Sequence, residues 1–354
     1  MSMHNGSSPE CLIVVLNYNG SDDTAALLRS LCGQRGERNW ATLVIDNGSR
    51  AAEYQRLRDW RYERGGRSYA CTEVSSLTPD PSRPLRATGT YLFASRENLG
   101  FAAGNNLGIR FAQAAGIPTV LLLNNDTECD PAFLTSLQRR HATNRRGITF
   151  PQIRYFDQPE VLWNTGAKLR FPLRVTYFNQ GVRVDHARFP PDEQIDFATG
   201  CALMFDPEHV GELAEDFFFG EEDVELARSC RERGVGYALA RESILYHKVG
   251  ATASAHSKRV VGRTVNRLVH VQLVFAGPRR LLAETLYVLQ TVRHLRRAPH
   301  RLPLGQCVRV ARQMRAYARA STSVCRSFWQ SYVFDEDRPI DSLDELPPCL
   351  HPLA

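Results

Sequence analysis

Polar and apolar positions alternate along the first third of the chain in blocks rather than residue by residue. Cys11–Leu16 reads CLIVVL, an unbroken apolar run rich in β-branched residues. Such a run predicts a strand buried on both faces, as a parallel sheet requires. Asn17-Tyr18-Asn19-Gly20 interrupts it, and Ser21 or Asp22 can cap a helix that carries Leu27, Leu28 and Leu31 on one face. Three more apolar runs follow. Ala41–Ile45 ends at Asp46-Asn47-Gly48-Ser49, Tyr91–Ala94 leads to Asn98-Leu99-Gly100, and Thr119–Leu123 ends at Asn124-Asn125-Asp126. A helical pattern over Gly104–Ala115 separates the last two. Strand, polar loop and helix in rotation predict an α/β fold with a mostly parallel sheet. Such sheets take ligands outside the carboxyl ends of their strands, where all four polar loops fall.

Elsewhere the pattern is weaker. Arg50–Thr90 reads as a helix over Tyr54–Tyr62 and a long loop. Phe150–Phe197 mixes short strands with turns and suits a cover for the sheet or an acceptor wall. Val224–Arg233 has helical spacing. From Lys258 to Arg326 the periodicity is helical, with fifteen Lys and Arg against one acid, Glu284. These features divide the chain into residues 1–257, a sheet domain, and residues 258–354, a basic helical appendage.

Composition narrows the class. With 354 residues and 43% hydrophobic content the chain can bury a sizeable core. Net charge is +6 and the pI is near 8.9, compatible with anionic partners. Nine scattered cysteines, with no CxxC pair, argue against a disulfide framework or structural zinc and for reduced thiols in a cytosolic compartment. Met1–Glu10 lacks the apolar segment of a secretory signal. No run nears the roughly 20 apolar residues of a membrane span.

Four segments carry candidate chemistry. Asp126 stands where a strand surfaces, and its carboxylate suits Mg²⁺ or Mn²⁺ bound with phosphate oxygens. A strand-end turn capped at Asp130-Pro131 explains the same residues. Asp46 can accept from the imide N–H of a pyrimidine base, or close an Asx-turn. Asn98–Gly108 places glycine at every fourth position, giving a bare helix face for close approach. It is not GxGxxG, so no dinucleotide fingerprint is present. Phe217-Phe218-Phe219-Gly220-Glu221-Glu222-Asp223 sets three acids after an apolar run. A carboxyl there can be raised towards neutrality and act as a base, or simply cap the following helix. His247 and Lys248 follow another apolar stretch and can face metal or phosphate.

Taken in order, these blocks resemble the family 2 glycosyltransferases of the GT-A fold, and within them the branch that includes bacterial rhamnosyltransferases. The matching blocks are Val14–Asn19, Val44–Ser49, Glu97–Asn106 with Leu121–Asp126, and Phe217–Leu226 followed by His247 and Gly250-Ala251-Thr252. They span roughly residues 11 to 270. The resemblance implies an inverting transfer from a UDP- or dTDP-linked sugar, dTDP-rhamnose among them, to an acceptor hydroxyl of a bacterial glycan, cell-surface polysaccharide or glycolipid. It implies that Asn17 and Asp46 line the nucleotide pocket with Asn19 and Asn125 beside them. Asn98, Gly100 and Asn105 would face ribose and phosphate, and Lys248 the diphosphate. Asp126 takes the metal role of the family's D-x-D motif, with Asn124 replacing its first acid, and His247 is its companion. Glu222-Asp223 matches the family's E-D pair, with Asp223 as base. Glu221 leaves a shift of one residue open, which would give the role to Glu222.

Expected partners are the sugar-nucleotide donor and a glycan or lipid-linked acceptor. The basic helices would contact an anionic membrane at the inner face of the cell membrane. Nucleic acid is not expected, since no recognised module is present. The alternatives are a sugar-nucleotide pyrophosphorylase and a non-catalytic sugar-nucleotide or nucleic-acid-binding protein. The former should carry a basic Gly-rich loop after the first strand, where this chain has Asp22 and Asp23.

Overall fold

A computed structural model describes residues 8–37, 39–80, 82–249, 256–297, 301–335 and 337–350. The apolar runs form the middle of the sheet. β1 (Cys11–Asn17), β2 (Trp40–Asp46), β5 (Thr90–Ala94) and β6 (Thr119–Leu123) pair in parallel in the order β5-β2-β1-β6. Every residue of β2 and β6 is buried, as continuous apolar runs demand. Helices α1 (Ser21–Cys32), α2 (Ala51–Arg58) and α3 (Phe101–Ala114) are the crossovers. Gly104 and Gly108 let α3 approach β1, because a Cβ on either would sit 2.6 Å from Leu16 or Val14.

Two strands replace the end of the helix expected over Tyr54–Tyr62 and part of the loop expected after it. β3 (Arg61–Arg64) and β4 (Arg67–Glu73) form a hairpin about Gly65-Gly66, both at positive φ, and β4 extends the sheet parallel to β5. A glycine pair is what a two-residue hairpin turn asks for. The first helix begins at Ser21 without a side-chain cap of its own. Glu53 on α2 accepts from the Ser21 amide and hydroxyl instead.

Beyond β6 the sheet becomes mixed. β12 (Ala202–Phe205) runs antiparallel to β6, and β8 (Ile148–Tyr155) pairs in parallel with β13 (Tyr237–His247). β7 (Thr127–Cys129) closes that edge antiparallel to β13, and β9 (Leu162–Asn164) joins β8. Among the described residues the sheet has eleven strands. A separate hairpin, β10 (Ala167–Arg170) and β11 (Arg174–Tyr177), stands over it. α4 (Phe133–His141) packs on β13, and a short α5 (Pro207–Val210) precedes α6 (Glu222–Arg233).

α7 (His256–Val274), α8 (Gly277–Leu295) and α9 (Leu304–Ala320) pack on one another around their own apolar cluster, which includes Val265, Val310, Trp329 and Tyr332. Phe217, just before the acidic triplet, is part of this cluster. The adjoining backbone is completed from the far end of the chain. Phe218 N–H donates to Val324 C=O and Val324 N–H to Asp216 C=O, each at 2.8 Å. Cys325 and Cys349 form a disulfide, contrary to the expectation of reduced thiols throughout; the other seven cysteines are free and buried. Sequence spacing gave no sign of that pair because the two chain segments meet only through the folded helices. Among the described residues no helix is long and apolar enough to cross a membrane.

Candidate active site

The loops at the carboxyl ends of β1, β2 and β6 are fastened to one another by asparagine amides. Asn17 is the hub and is fully buried. Its amide donates to Asp46 Oδ1 (2.8 Å) and Ser49 Oγ (3.2 Å). Its carbonyl accepts from Thr24 (2.9 Å) and from Asn125 (3.4 Å). Asn125 also bonds Thr24 Oγ1 and the Gly20 carbonyl at the start of α1. Asn19, at φ +53°, turns its side chain to the Arg50 amide. Asp46 is buried and accepts from the Ser49 amide through Oδ2. A buried polar group without a partner is costly, so these contacts fix the loop geometry.

Asn47 extends the network to the next loop. It donates to Asn98 Oδ1 and Gly100 C=O and accepts from Leu99 N–H, all within 3.0 Å. Gly100 adopts φ +86°, and a Cβ there would lie 2.3 Å from the Phe218 carbonyl. Phe101 N–H donates to that same carbonyl. Glycine at this position lets the third strand-end loop touch the acidic segment. Asn105 is buried and donates to the Phe101 carbonyl within its own helix. Asn106, which the sequence did not single out, clamps Leu213 and Glu215.

The acidic triplet divides three ways. Glu221, at φ +81°, turns towards α7, where Arg267 (2.7 Å) and His270 (3.0 Å) hold it. Burial alone would raise Glu221, but these two cations outweigh it and hold the carboxyl below its ordinary range. His270 also reaches Glu225 (2.8 Å), and the two carboxylates raise the imidazole against the effect of burial. Glu222 and Asp223 have no cation within ion-pair distance among the described residues, although Arg267 lowers Asp223 from further away. Burial raises both, Glu222 to about 8 with Asp223 as second cause, and Asp223 to about 6 with Glu221 as second cause. Burial and the neighbouring carboxylates thus favour the protonated form of both groups, of Glu222 more strongly than of Asp223. Asp223 Oδ2 faces the Gly200 amide at 3.4 Å. Gly200 adjoins Cys201, whose carbonyl accepts from Asn124 N–H (2.9 Å). Two hydrogen bonds and one peptide link therefore separate Asp223 from the Asn124–Asp126 loop.

Asp126 and His247 meet because β7 and β13 pair with His247 opposite Thr127. Asp126 Oδ1 lies 3.3 Å from His247 Nε2. Asp126 Oδ1 and His247 Nδ1 are both buried without a hydrogen-bond partner. The Trp163 ring meets the imidazole ring at 4.5 Å between centroids. Lys248 is otherwise engaged: Asp23 (2.9 Å) and Glu128 (3.2 Å) neutralise its ammonium. Gly250–Thr252 lie outside the described residues.

The structure thus joins Asn17, Asp46, Asn98, Gly100 and Asn125 in one network of strand-end loops, and sets Asp126 and His247 side by side. It ties Asn19 to Ser49 and Arg50 on the loop after β2, and gives Asn105 a backbone contact within its own helix. Sequence reasoning missed Arg267 and His270. Their spacing of three on a helix, opposite an acidic triplet, was the available signal.

Residues 85–238 match the model of the family described as glycosyl transferase family 2. The chain carries a family 2 glycosyltransferase domain. The matched span holds Asn98, Gly100, Asn105, Asn124–Asp126 and Glu222-Asp223, and begins after Asn17 and Asp46. Among solved structures, GalNAc-T7 with UDP, GalNAc and Mn²⁺ is similar at a TM-score of 0.52 and 13% identity, over 93% of this chain and 57% of that one. A mannosyltransferase from Pyrobaculum calidifontis, in complex with GDP-Man and Mn²⁺, is similar at a TM-score of 0.49 and 15% identity, over 89% and 84%. No curated protein matches the sequence. The fold of the glycosyltransferase domain is GT-A.

Proposed function

We propose that this glycosyltransferase moves a sugar from a nucleotide-diphosphate donor to an acceptor hydroxyl with inversion. The donor would lie over the network of Asp46, Asn17, Asn98 and Gly100. Asp223 takes the hydroxyl proton as the oxygen attacks the anomeric carbon and the nucleoside diphosphate departs from the opposite side. The observation that carries this reading is the placement of Asp223, a carboxylate without an ion-pair partner among the described residues, on the Gly200 amide, one peptide link from the carbonyl that holds the Asn124–Asp126 loop. Burial first and the Glu221 charge second raise its carboxyl to about 6, which makes the ionised group a stronger base than an ordinary aspartate.

Asp126 and His247 fit Mg²⁺ or Mn²⁺. Each presents a buried atom with no hydrogen-bond partner, and carboxylate with imidazole suits such an ion. Among the described residues no group of three acidic, His or Cys side chains is placed to hold a metal ion, so diphosphate oxygens and water would complete the shell. The bound ion would supply charge neutralisation for the leaving diphosphate. Lys248, paired with Asp23 and Glu128, serves this reading by bracing the loop rather than by binding phosphate.

A thermal-shift screen of UDP-, dTDP- and GDP-sugars with and without Mn²⁺ tests the donor reading, since a ligand at 100 times its Kd stabilises by about 2.7 kcal/mol. The likeness to the rhamnosyltransferase-like branch puts dTDP-rhamnose first in the screen. No stabilisation by any of them would remove the proposed function.

We place the acceptor in bacterial glycan or glycolipid synthesis, at the inner face of an anionic membrane. The support is the outer face of α8. Leu281, Leu282, Leu286 and Leu289 are 43–60% exposed there, with Arg279 and Arg280 at one end and Arg293 and Arg296 at the other. Glu284, the single acid of this helix, is buried and pairs with Arg315 and Arg319 of the neighbouring helix and with Arg280 of its own. Apolar side chains flanked by cations, of which Arg279, Arg293 and Arg296 have no carboxylate within ion-pair distance among the described residues, suit an anionic bilayer surface. Residues 1–257 and 258–354 serve, in this reading, as donor-binding and acceptor-side units.

A further inference from the structure

The opposite side of α8 lines a cleft of about 360 Å³ that the transfer reaction does not account for. Arg174 on β11, Arg263 and Arg267 on α7, and Tyr287 and Gln290 on α8 form its walls, with Glu221 at its floor. The cleft is built rather than incidental. Tyr287 donates to the Pro172 carbonyl (2.7 Å), and Arg267 donates to the Leu173 carbonyl. Leu173 holds φ +82°, which a non-glycine residue adopts at a cost, and the next residue is Arg174. The hairpin turn is thereby pinned to α7 and α8.

The charges in this cleft do not cancel. Glu221 is occupied by Arg267 and His270. Among the described residues, neither Arg174 nor Arg263 has a carboxylate within ion-pair distance, and both are exposed. Two guanidinium groups with open forks face the same space, beside a third. Guanidinium forks match the oxygens of a phosphate group, and an excess of two positive charges suits a dianion better than a single carboxylate. The cleft is joined to the proposed base through the chain. Glu221 is two residues from Asp223, and Tyr177, at the far end of β11 from Arg174, has its hydroxyl raised by burial and then by Asp223, with Arg267 and Arg263 acting in the opposite sense.

We propose that Arg174 and Arg263 form a subsite for a phosphate or diphosphate group of the acceptor, holding it while its hydroxyl is presented to Asp223. This rests on the transferase reading and adds the acceptor's chemical class. The phosphate can belong to a soluble metabolite or to a lipid, and the two are separable by experiment.

The test compares the wild type with Arg174→Gln/Arg263→Gln, whose exposed positions leave the buried Arg267–Glu221 pair intact. Glycerol phosphate is titrated calorimetrically into both, and succinate serves as the carboxylate control. Flotation with phosphatidylcholine vesicles, with and without phosphatidic acid, forms the lipid arm. The expected result is saturable glycerol phosphate binding that weakens about 10- to 100-fold in the double variant, the range for losing charge-assisted hydrogen bonds. A lipid source is indicated when the same variant loses more affinity for phosphatidic acid vesicles than for glycerol phosphate. A soluble source is indicated when it does not. No saturable binding, equal binding by both proteins, or equal binding of succinate overturns the proposal. Nucleoside diphosphate binding with Mn²⁺ is measured in the same two proteins. If nucleotides bind and the phosphate difference is absent, the subsite fails alone. If nucleotides do not bind and the difference persists, the transferase reading fails and the anion site stands.

Discussion

The position of Asp223 on the pH scale sets a quantitative expectation for turnover. Its carboxyl is raised to about 6, by burial first and by the Glu221 charge second. A base works only when ionised. With that value, the ionised fraction is about 0.97 at pH 7.5 and about 0.09 at pH 5.0. The ratio kcat/KM should therefore fall about tenfold between those two pH values. An ordinary aspartate near 3.9 would lose less than about a tenth over the same interval. Asp223→Asn should lower turnover by about 10²–10⁴-fold and remove the acidic limb from what remains. Stability should move the other way. A carboxyl raised in the folded state contributes stability that is full below its unfolded pKa and is lost as pH rises through the folded one. For Glu222 and Asp223 that window runs from about 4 up to about 8. Asp223→Asn should thus melt at a higher temperature than wild type at pH 8.5, with the two converging near pH 4. Initial rates from pH 5 to 8.5 and melting curves over the same range supply both readouts. A flat rate profile from pH 5 to 7.5, or an Asn variant that is both active and no more stable at high pH, would refute the assignment.

Other substitutions probe the remaining parts. Asp126→Ala, or EDTA added to wild type, should abolish the Mn²⁺-dependent part of donor binding in calorimetry; indifference to both would discard the metal site. Arg267→Gln leaves Glu221 with His270 as its one remaining cation, so the acidic limb of the rate profile should shift upward, with a loss of about 3 kcal/mol in urea denaturation. A limb that stays in place would show that Arg267 does not act on the base. Gly100→Ala forces a Cβ against the Phe218 carbonyl at positive φ and should cost about 1–3 kcal/mol along with donor affinity; an unperturbed melt would mean that the loop and acid segment are not tightly joined. Leu282→Glu/Leu289→Glu should weaken flotation with anionic vesicles at least about tenfold, because each leucine buried is worth about 1.5–3 kcal/mol. Unchanged flotation would send the apolar face to another partner.

Much of the sheet was legible because its central strands are buried on both faces. Cys11–Leu16, Ala41–Ile45 and Thr119–Leu123 need no partner to be recognised, since their side chains all point into apolar surroundings. The β3–β4 hairpin was not legible, because charged residues on an edge carry no apolar alternation; its Gly65-Gly66 turn was the readable part. Among candidate residues, identity could be read and bonding could not. Asn17 meets Asp46 and Asn125 across long stretches of chain, and these contacts make it the hub that fastens the strand-end loops. Lys248 stood in the right place, but no periodicity could show Asp23 and Glu128 closing on it. The basic helices read as a solvated or membrane-facing surface. Part of their charge instead points inward, with Arg267 on Glu221 and Arg315 and Arg319 on Glu284.

The hydrogen bonds between Phe218 and Val324, and between Val324 and Asp216, also bear on when the enzyme becomes competent. A chain leaving the ribosome makes its sheet first and its helices last. The donor-side loops can assemble early, while the stretch that carries the acidic triplet waits for Val324 and for the Cys325–Cys349 link beside it. Pairing with Val324 is then the step that orders the proposed base. A chain cut before Val324 would keep the strand-end loops and lose both hydrogen bonds that hold the acidic segment; under the proposed function it would occupy donor without transferring its sugar.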